Sequence, residues 1–401
     1  MSEHYEALIV GAGFSGAVLA ERLASQLGWR VLVVDKREHV GGNCFDECDE
    51  KGILVHRYGP HIFHTDHQQV VDYLSQFTAW RPYEHRVLAS IDGQLVPLPF
   101  NLNSIDKLFT TSKARVLADA LVENFGEGTR VPILKLRESS NPLLQELAGF
   151  VYDKVFLNYT TKQWGCRPED ISPEVTARVP VIVGRDDRYF ADVFQAVPAE
   201  GYTKLFESIL AHPKIDLRLK TDYADISKFN RETGEISLMG NTFKGVLIFT
   251  GMVDELFGFC HGELPYRSLR FDFQHHDQEF FQPTAVVNYP NEHTYTRITE
   301  FKHLSGQKNS GTSIVYEYPQ PYDRQNPAAN IPYYPVFDET GKKAYEHYEA
   351  ALQGHAKVFA VGRLAQYRYL DMDDAVANAL DVFASLSKFA SKRRCLGWEN
   401  T

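Results

Sequence analysis

Ala7-Leu-Ile-Val-Gly-Ala-Gly-Phe-Ser-Gly16, followed by Val31-Leu-Val-Val-Asp35, reads as an apolar strand, a glycine turn, a helix, and a second strand ending in a carboxylate. This is the pattern of a dinucleotide site. Gly11 allows a sharp turn. Gly13 lets backbone N–H groups approach a pyrophosphate. Gly16 lets the following helix lie close on the strand, so that its positive N-terminus faces the phosphates. Val18, Leu19, Leu23 and Leu27 give that helix an apolar stripe, and Asp35 stands where ribose hydroxyls are taken. Lys36 and Arg37 then lead to Gly41-Gly42-Asn43, a second bare stretch of backbone suited to a long extended cofactor, which favours FAD over NAD.

The rest of the composition bounds the class. A chain of 401 residues, 44% of them hydrophobic, can bury a large core and exceeds the usual single domain, so two or three domains are expected. The formal charge of −10, without a run of like charge, argues against nonspecific nucleic-acid binding and a polybasic membrane anchor. An anionic ligand must therefore meet local arginines. The five cysteines, Cys44, Cys48, Cys166, Cys260 and Cys395, form no metal-binding spacing, so no metal is expected and they read as reduced thiols. No signal segment precedes the first strand and no stretch of 18 apolar residues occurs, so a cytoplasmic protein without membrane insertion is expected.

Along the chain, the reading is α/β: a discontinuous FAD-binding Rossmann-like domain (1–80, 216–252 and 336–392), a small helical insert domain (104–165) and an antiparallel β-sheet domain (81–103, 166–215 and 253–335). Lys113 to Asn124 is amphipathic, and Asn141-Pro142 offers an N-cap and first-turn proline for a helix from Leu143 to Leu157. The stretches 83–98, 175–195, 285–297 and 312–318 alternate or are β-branched, predicting antiparallel strands. Leu217 to Ile226, Phe243 to Thr250 and Lys357 to Val361 read as strands returning to the first domain. The last helix presents Val376, Leu380, Phe383, Leu386 and Phe389, with Asp371, Asp373 and Asp374 at its N-terminus.

Further strings sharpen the reading: Tyr58-Gly-Pro-His-Ile-Phe-His64, Tyr159-Thr-Thr-Lys-Gln-Trp-Gly165, Gly201-Tyr-Thr-Lys204, Tyr295-Thr-Arg297, Pro332-Tyr-Tyr-Pro335 and Gly362-Arg-Leu-Ala365. With the glycine turn and Gly41-Gly42-Asn43, they resemble the bacterial UDP-galactopyranose mutase family over nearly the whole chain. The resemblance implies an isomerase that contracts the pyranose ring of a nucleotide sugar to a furanose using reduced FAD. In that chemistry flavin N5 displaces UDP from the anomeric carbon, and the sugar opens and recloses before UDP returns.

The same resemblance implies roles for individual residues. His61 would act catalytically beside the flavin, together with Arg297, Tyr334, Tyr369 and Asp371, and His64 would tune the choice of sugar. Gly11, Gly13, Phe14, Ser15, Gly16, Asp35, Lys36, Gly42, Asn43, His61, Ile62, Gly362, Arg363, Asp371 and Met372 would hold FAD. Arg297, Tyr334, Tyr369 and Arg363 would meet the substrate, the first three at its diphosphate, where a guanidinium fork and hydroxyl donors suit the charge. Tyr159 with Phe156 would stack on uracil, Trp164 would lie beside the sugar, and Tyr202 and Asn288 would also contact substrate. One departure stands out: Ile182 occupies a position expected to hold a loop arginine, so Arg185 is expected to substitute, and Phe194 lacks a tyrosine hydroxyl. The partners implied are a UDP-sugar and a second copy of the chain. The alternatives are another nucleotide sugar (UDP-N-acetylgalactosamine or a dTDP-sugar) and a flavin amine oxidase or desaturase.

Overall fold

The computed structural model describes residues 4–165, 180–326 and 330–395, with side chains up to residue 388. Among these, two sheets carry the architecture. The first runs in the order Ile215–Arg218, Val31–Val34, Ala7–Val10, Val246–Phe249, Val358–Ala360, and every pairing is parallel. Both faces of such a sheet are covered, which is why its central strands are unbroken apolar runs rather than alternating ones. Ala7 and Ile9 point into a core shared with helices Phe14–Leu27, Tyr202–Leu210 and Met372–Cys395. Leu8, Leu32 and Leu247 point the other way, into a core with Met252, Leu256 and Tyr348 of helix Glu339–Gln353.

The second sheet runs Tyr334–Pro335, Tyr266–His276, Thr312–Pro321, Arg297–Glu300, Val286–Asn288, Val87–Ile91, Gln94–Leu98. It differs from the expected antiparallel sheet in one respect: Val286–Asn288 pairs with Val87–Ile91 in parallel, because a long excursion of chain separates them. The helical segments pack against it, with Leu117, Leu121, Leu144, Leu147 and Val151 in one core with Val87, Ala89, Val286 and Val315. Asn141 caps helix Pro142–Val151 through the Leu143 N–H, and the helix continues as a π-helical turn over Tyr152–Leu157 before Asn158–Trp164. The helical region is also interrupted by strand Arg130–Pro132.

Other expectations are corrected locally. Within 217–226 the strand ends at Arg218, and Tyr223–Ile226 is a helical turn with Asp222 as its cap. Of 175–195, residues 175–179 lie outside the described residues, Pro180–Ile182 pairs with Arg130–Pro132, and Phe194–Pro198 sits between Phe63–Thr65 and Trp80–Pro82. Neither joins the large sheet. Cys166 and the side chains of Phe389 and Cys395 also lie outside the described set.

Candidate active site

The dinucleotide cradle forms at the carboxyl end of strand Ala7–Val10. A Cβ on Gly16 would stand 1.9 Å from the Gly11 carbonyl, so glycine alone lets this helix approach the strand. Gly13 lies against Gly42, whose φ of +57° and whose Cβ position, 3.1 Å from the Gly13 Cα, leave room only for backbone. Asp35 ties the turn: its carboxylate accepts from Ala12 N–H and Arg37 N–H, both at 2.9 Å. Lys36 is exposed, while Phe14, Ser15 and Ile62 are buried, and a Cβ on Gly362 would meet Ser15 Oγ at 2.5 Å.

Two observations fit an anionic dinucleotide here. Helix Phe14–Leu27 starts without a side-chain cap or an acidic first turn, leaving its N–H groups for phosphate oxygens. Arg37 stacks over Tyr58 with its Cζ 4.7 Å from the ring centroid, and donates through Nη2 to Asn43 Oδ1 at 2.9 Å. Its Nη1 is buried with no protein partner, a donor awaiting a ligand oxygen. Met372 lies at the edge, its sulfur 3.6 Å from the Cys44 thiol, which burial pushes up to about 12. Asp371 precedes the last helix: its carbonyl accepts from Ala375 N–H, and the Asp374 carboxylate reaches back to its own N–H, closing the first turn.

Opposite the cradle lies a cluster of cations and phenols. Arg297 sits between Asn288 and Glu317 in the ladder of the large sheet. Its Nε donates to Glu317 Oε1 at 2.7 Å. Burial is the largest single influence and works against the Arg297 charge, but Glu317, Tyr159 and Tyr334 together outweigh it and hold the guanidinium well above its ordinary value. Burial also pushes the Glu317 carboxyl up, opposed by Arg297. Because one edge of the guanidinium is engaged, its two Nη groups remain to form a fork. Asn288 is buried with its Oδ1 unpartnered on the same ladder.

Tyr334 and Tyr369 stack with ring centroids 5.9 Å apart and planes 6° from parallel. Arg363 Cζ lies 5.3 Å from each centroid and its Nε donates to Leu370 O at 3.0 Å, so one guanidinium holds both rings. Burial raises the Tyr334 hydroxyl to about 12, keeping it a donor at neutral pH. Trp164 adds a ring 5.9 Å from Tyr334 and 6.3 Å from Tyr369. Tyr159 is electrostatically coupled to both Arg297 and Tyr334.

His61 connects cradle and cluster. Its Nδ1 lies 2.8 Å from Gly59 O, so Nδ1 carries the proton and Nε2 keeps a lone pair. Burial, with His56 beside it, holds the ring at about 3, and Arg363 and Arg297 push the same way. Gly59 faces Glu317: a Cβ there would be 3.6 Å from Glu317 Oε2.

The structure separates other expected residues from this group. Phe156 is 2% exposed and packs on Tyr152 in the core, within the π-helical turn that precedes Tyr159. Tyr202 is 0% exposed, its ring against Phe14, His56 and His61 beneath the cradle. Arg185 is spent at the surface, where Nη1 donates to Asp106 Oδ2 at 2.6 Å and Asn103 Oδ1 at 2.8 Å. Ile182 is a buried strand residue, and Phe194 packs against Phe63 and Trp80. His64 stacks on Phe190 with centroids 3.6 Å apart, beside Asp192.

Sequence reasoning missed Glu317, Arg37 and His85. Glu317 is a lone acid in an apolar and aromatic strand, a signal that was available. His85, 4% exposed and held at about 3 by burial and then by Arg297, has no such pattern around it.

A family model described as UDP-galactopyranose mutase matches residues 154–369, and one described as an NAD(P)-binding Rossmann-like domain matches 9–77. The chain is 36% identical to the dTDP-fucopyranose mutase of Escherichia coli over 93% of this chain and 96% of that protein. It is 35% identical to the UDP-galactopyranose mutase of Mycoplasma pneumoniae over 94% of each. Among solved structures, reduced UDP-galactopyranose mutase matches with a TM-score of 0.73 at 16% identity, covering 97% of this chain and 95% of the other. Putrescine oxidase bound to putrescine matches at 0.59 and 12% identity, over 96% and 99%. At these identities the structural likenesses speak to the fold.

Proposed function

The chain belongs to the UDP-galactopyranose mutase family, a family of isomerases, and on that premise we propose that it interconverts the pyranose and furanose forms of a UDP-hexose, UDP-galactose first. The observation that carries the reading is the convergence of Arg297, Tyr334, Tyr369 and Arg363 across from a dinucleotide cradle, with His61 between them. An apolar or amine substrate has no use for this set of donors.

The cradle residues Gly13, Ser15, Gly16, Asp35, Arg37, Gly42 and Gly362 would hold FAD, and reduced FAD would supply the nucleophilic N5 that takes the anomeric carbon from UDP. The protein's own part is to bind, orient and neutralise. Arg297, steadied by Glu317, offers its Nη fork to the diphosphate as it leaves and returns, and the Tyr334 and Tyr369 hydroxyls donate beside it. Arg363 adds a positive charge that favours an anionic reduced flavin. Trp164 covers the sugar and excludes water. His61 stays neutral, so Nε2 can accept a hydrogen bond from a hydroxyl near the reacting carbon. We further propose that it works in the cytoplasm as a homodimer; no described helix is long and apolar enough to cross a membrane.

The 36% identity to dTDP-fucopyranose mutase supports a second reading, in which the nucleotide is dTDP and the sugar is deoxygenated. Incubating dithionite-reduced protein with UDP-galactopyranose and, separately, dTDP-fucopyranose, then separating products by chromatography, decides between them. Absence of furanose from both, with oxygen uptake on an amine, rejects the mutase altogether.

A further inference from the structure

The helix that carries Tyr159 and Trp164 ends against a buried guanidinium contributed by the large sheet. Arg267 is 8% exposed and donates from Nε to Gln163 O and from Nη2 to Lys162 O, both at 3.0 Å. These are carbonyls of the helix's last turn, which have no partners within the helix and carry the negative end of its dipole. Gly165, at φ +74°, closes the turn by donating to Thr161 O at 2.8 Å. A Cβ at that position would stand 2.7 Å from Arg267 Nη1, so glycine is what lets the guanidinium lie across the helix end.

The backbone of Arg267 faces the other half of the site. It stands opposite Tyr334 in the ladder, and its carbonyl accepts from Tyr333 N–H at 2.9 Å. One residue therefore joins the helix of Trp164 to the strand of Tyr334, whose rings lie 5.9 Å apart. The opposite side of the helix is tied separately, by Lys162 Nζ to Tyr289 O at 2.9 Å and Asn158 Nδ2 to Asn291 Oδ1 at 3.0 Å.

We propose that Arg267 is a positioning residue: its guanidinium clasps the end of helix Asn158–Trp164 and sets the spacing between Trp164 and the Tyr334–Tyr369 pair, within which a nucleoside diphosphate sugar is held. The inference rests on the nucleotide-sugar reading above. A planar fork spans two carbonyls at once, which a lysine ammonium does not, so Arg267→Lys restores the clasp only in part.

The test uses the FAD-loaded full chain as wild type, Arg267→Met, Arg267→Lys and Gly165→Ala, the last displacing the guanidinium from the other side should the Arg267 variants fail to fold. Without UDP or any nucleotide sugar, hydrogen exchange of amides 158–165 is expected to speed up about tenfold in Arg267→Met and Gly165→Ala, while strand Ala7–Val10 is unchanged. Unchanged exchange at 158–165 overturns the clasp. With UDP as probe, Kd is expected to rise about tenfold in both variants, with Arg267→Lys intermediate and the flavin absorbance unaltered. In a Trp164→Ala background, adding Arg267→Met should change Kd by less than about twofold, since Arg267 acts through that helix. A full additive loss there overturns the positioning role. Wild-type protein that ignores UDP overturns the nucleotide-sugar reading instead, and the exchange measurement still decides whether Arg267 holds the helix.

Discussion

Arg297 and Glu317 are direct cross-strand partners, and the 2.7 Å bond from Nε to the Glu317 carboxylate lies in a position where the acid is 1% exposed. A buried carboxylate in that situation depends on its cation, so the two residues form a unit rather than an independent ligand and a bystander. Arg297→Ala is expected to weaken UDP binding by tenfold or more, as a charge-assisted fork to phosphate is lost, while the flavin spectrum stays intact. It should also lower the unfolding free energy by about 3 kcal/mol because Glu317 is left unpaired. Adding Glu317→Gln should recover most of that stability without recovering UDP affinity. Titration of UDP and chemical denaturation of wild type and the two variants check both halves.

His61 is held neutral at about 3, first by burial and then by His56, with Arg363 and Arg297 adding to the effect. Its protonation therefore leaves no inflection near pH 6.5 in the turnover profile of the reduced enzyme. His61→Ala is expected to retain FAD and lose most of its turnover. Kinetics equal to wild type would reduce His61 to scaffolding.

His56 and His85 are likewise buried and neutral, at about 4 and about 3 against an ordinary value of 6.5. Both folded values are depressed, so between pH 6.5 and about 4 the unfolded chain binds more protons than the native one, and stability falls as the pH falls. At pH 5 each group costs about 2 kcal/mol relative to neutral pH. The thermal midpoint of the FAD-loaded protein should accordingly drop by several degrees between pH 7.5 and pH 5, and His85→Gln should remove part of the drop. A midpoint independent of pH over that interval would contradict the assignment.

Local sequence carried the cradle well, because its glycines, strand pair and acid answer to short-range backbone needs. Gly16 must be glycine for the helix to approach Gly11, and Asp35 must lie at the strand end to tie the turn; both needs are visible within about 30 residues of chain. The substrate side was less legible. Phe156 and Tyr159 lie three apart, which on an α-helix gives one face, but Phe156 lies within a π-helical turn, where that spacing no longer holds, and is buried in the core. Tyr202 belongs to a specific-looking string yet serves packing under the cradle. Glu317 depends on sheet register across 20 residues, and Arg267 on a contact with a helix end more than 100 residues away, which no local pattern encodes.

Ile182 is where the reading from sequence and the structure part most sharply. In place of an expected loop arginine, it is the last residue of strand Pro180–Ile182, 8% exposed, its N–H donating to Phe100 O at 2.7 Å. Val181 and Val183 beside it are fully buried, and Arg185 three residues on is committed to Asp106. An arginine introduced at 182 would have to place its charge against this packed edge or pull the strand outward. Either route costs about 3 kcal/mol, the range for an unpaired buried charge or a disrupted core. Ile182→Arg is therefore expected to lower the thermal midpoint while leaving the reduced enzyme's KM for nucleotide sugar and its kcat within about twofold of wild type, consistent with a substitution that touches no ligand. A gain in affinity on introducing arginine would mean that this edge opens to the diphosphate, and would return position 182 to the site.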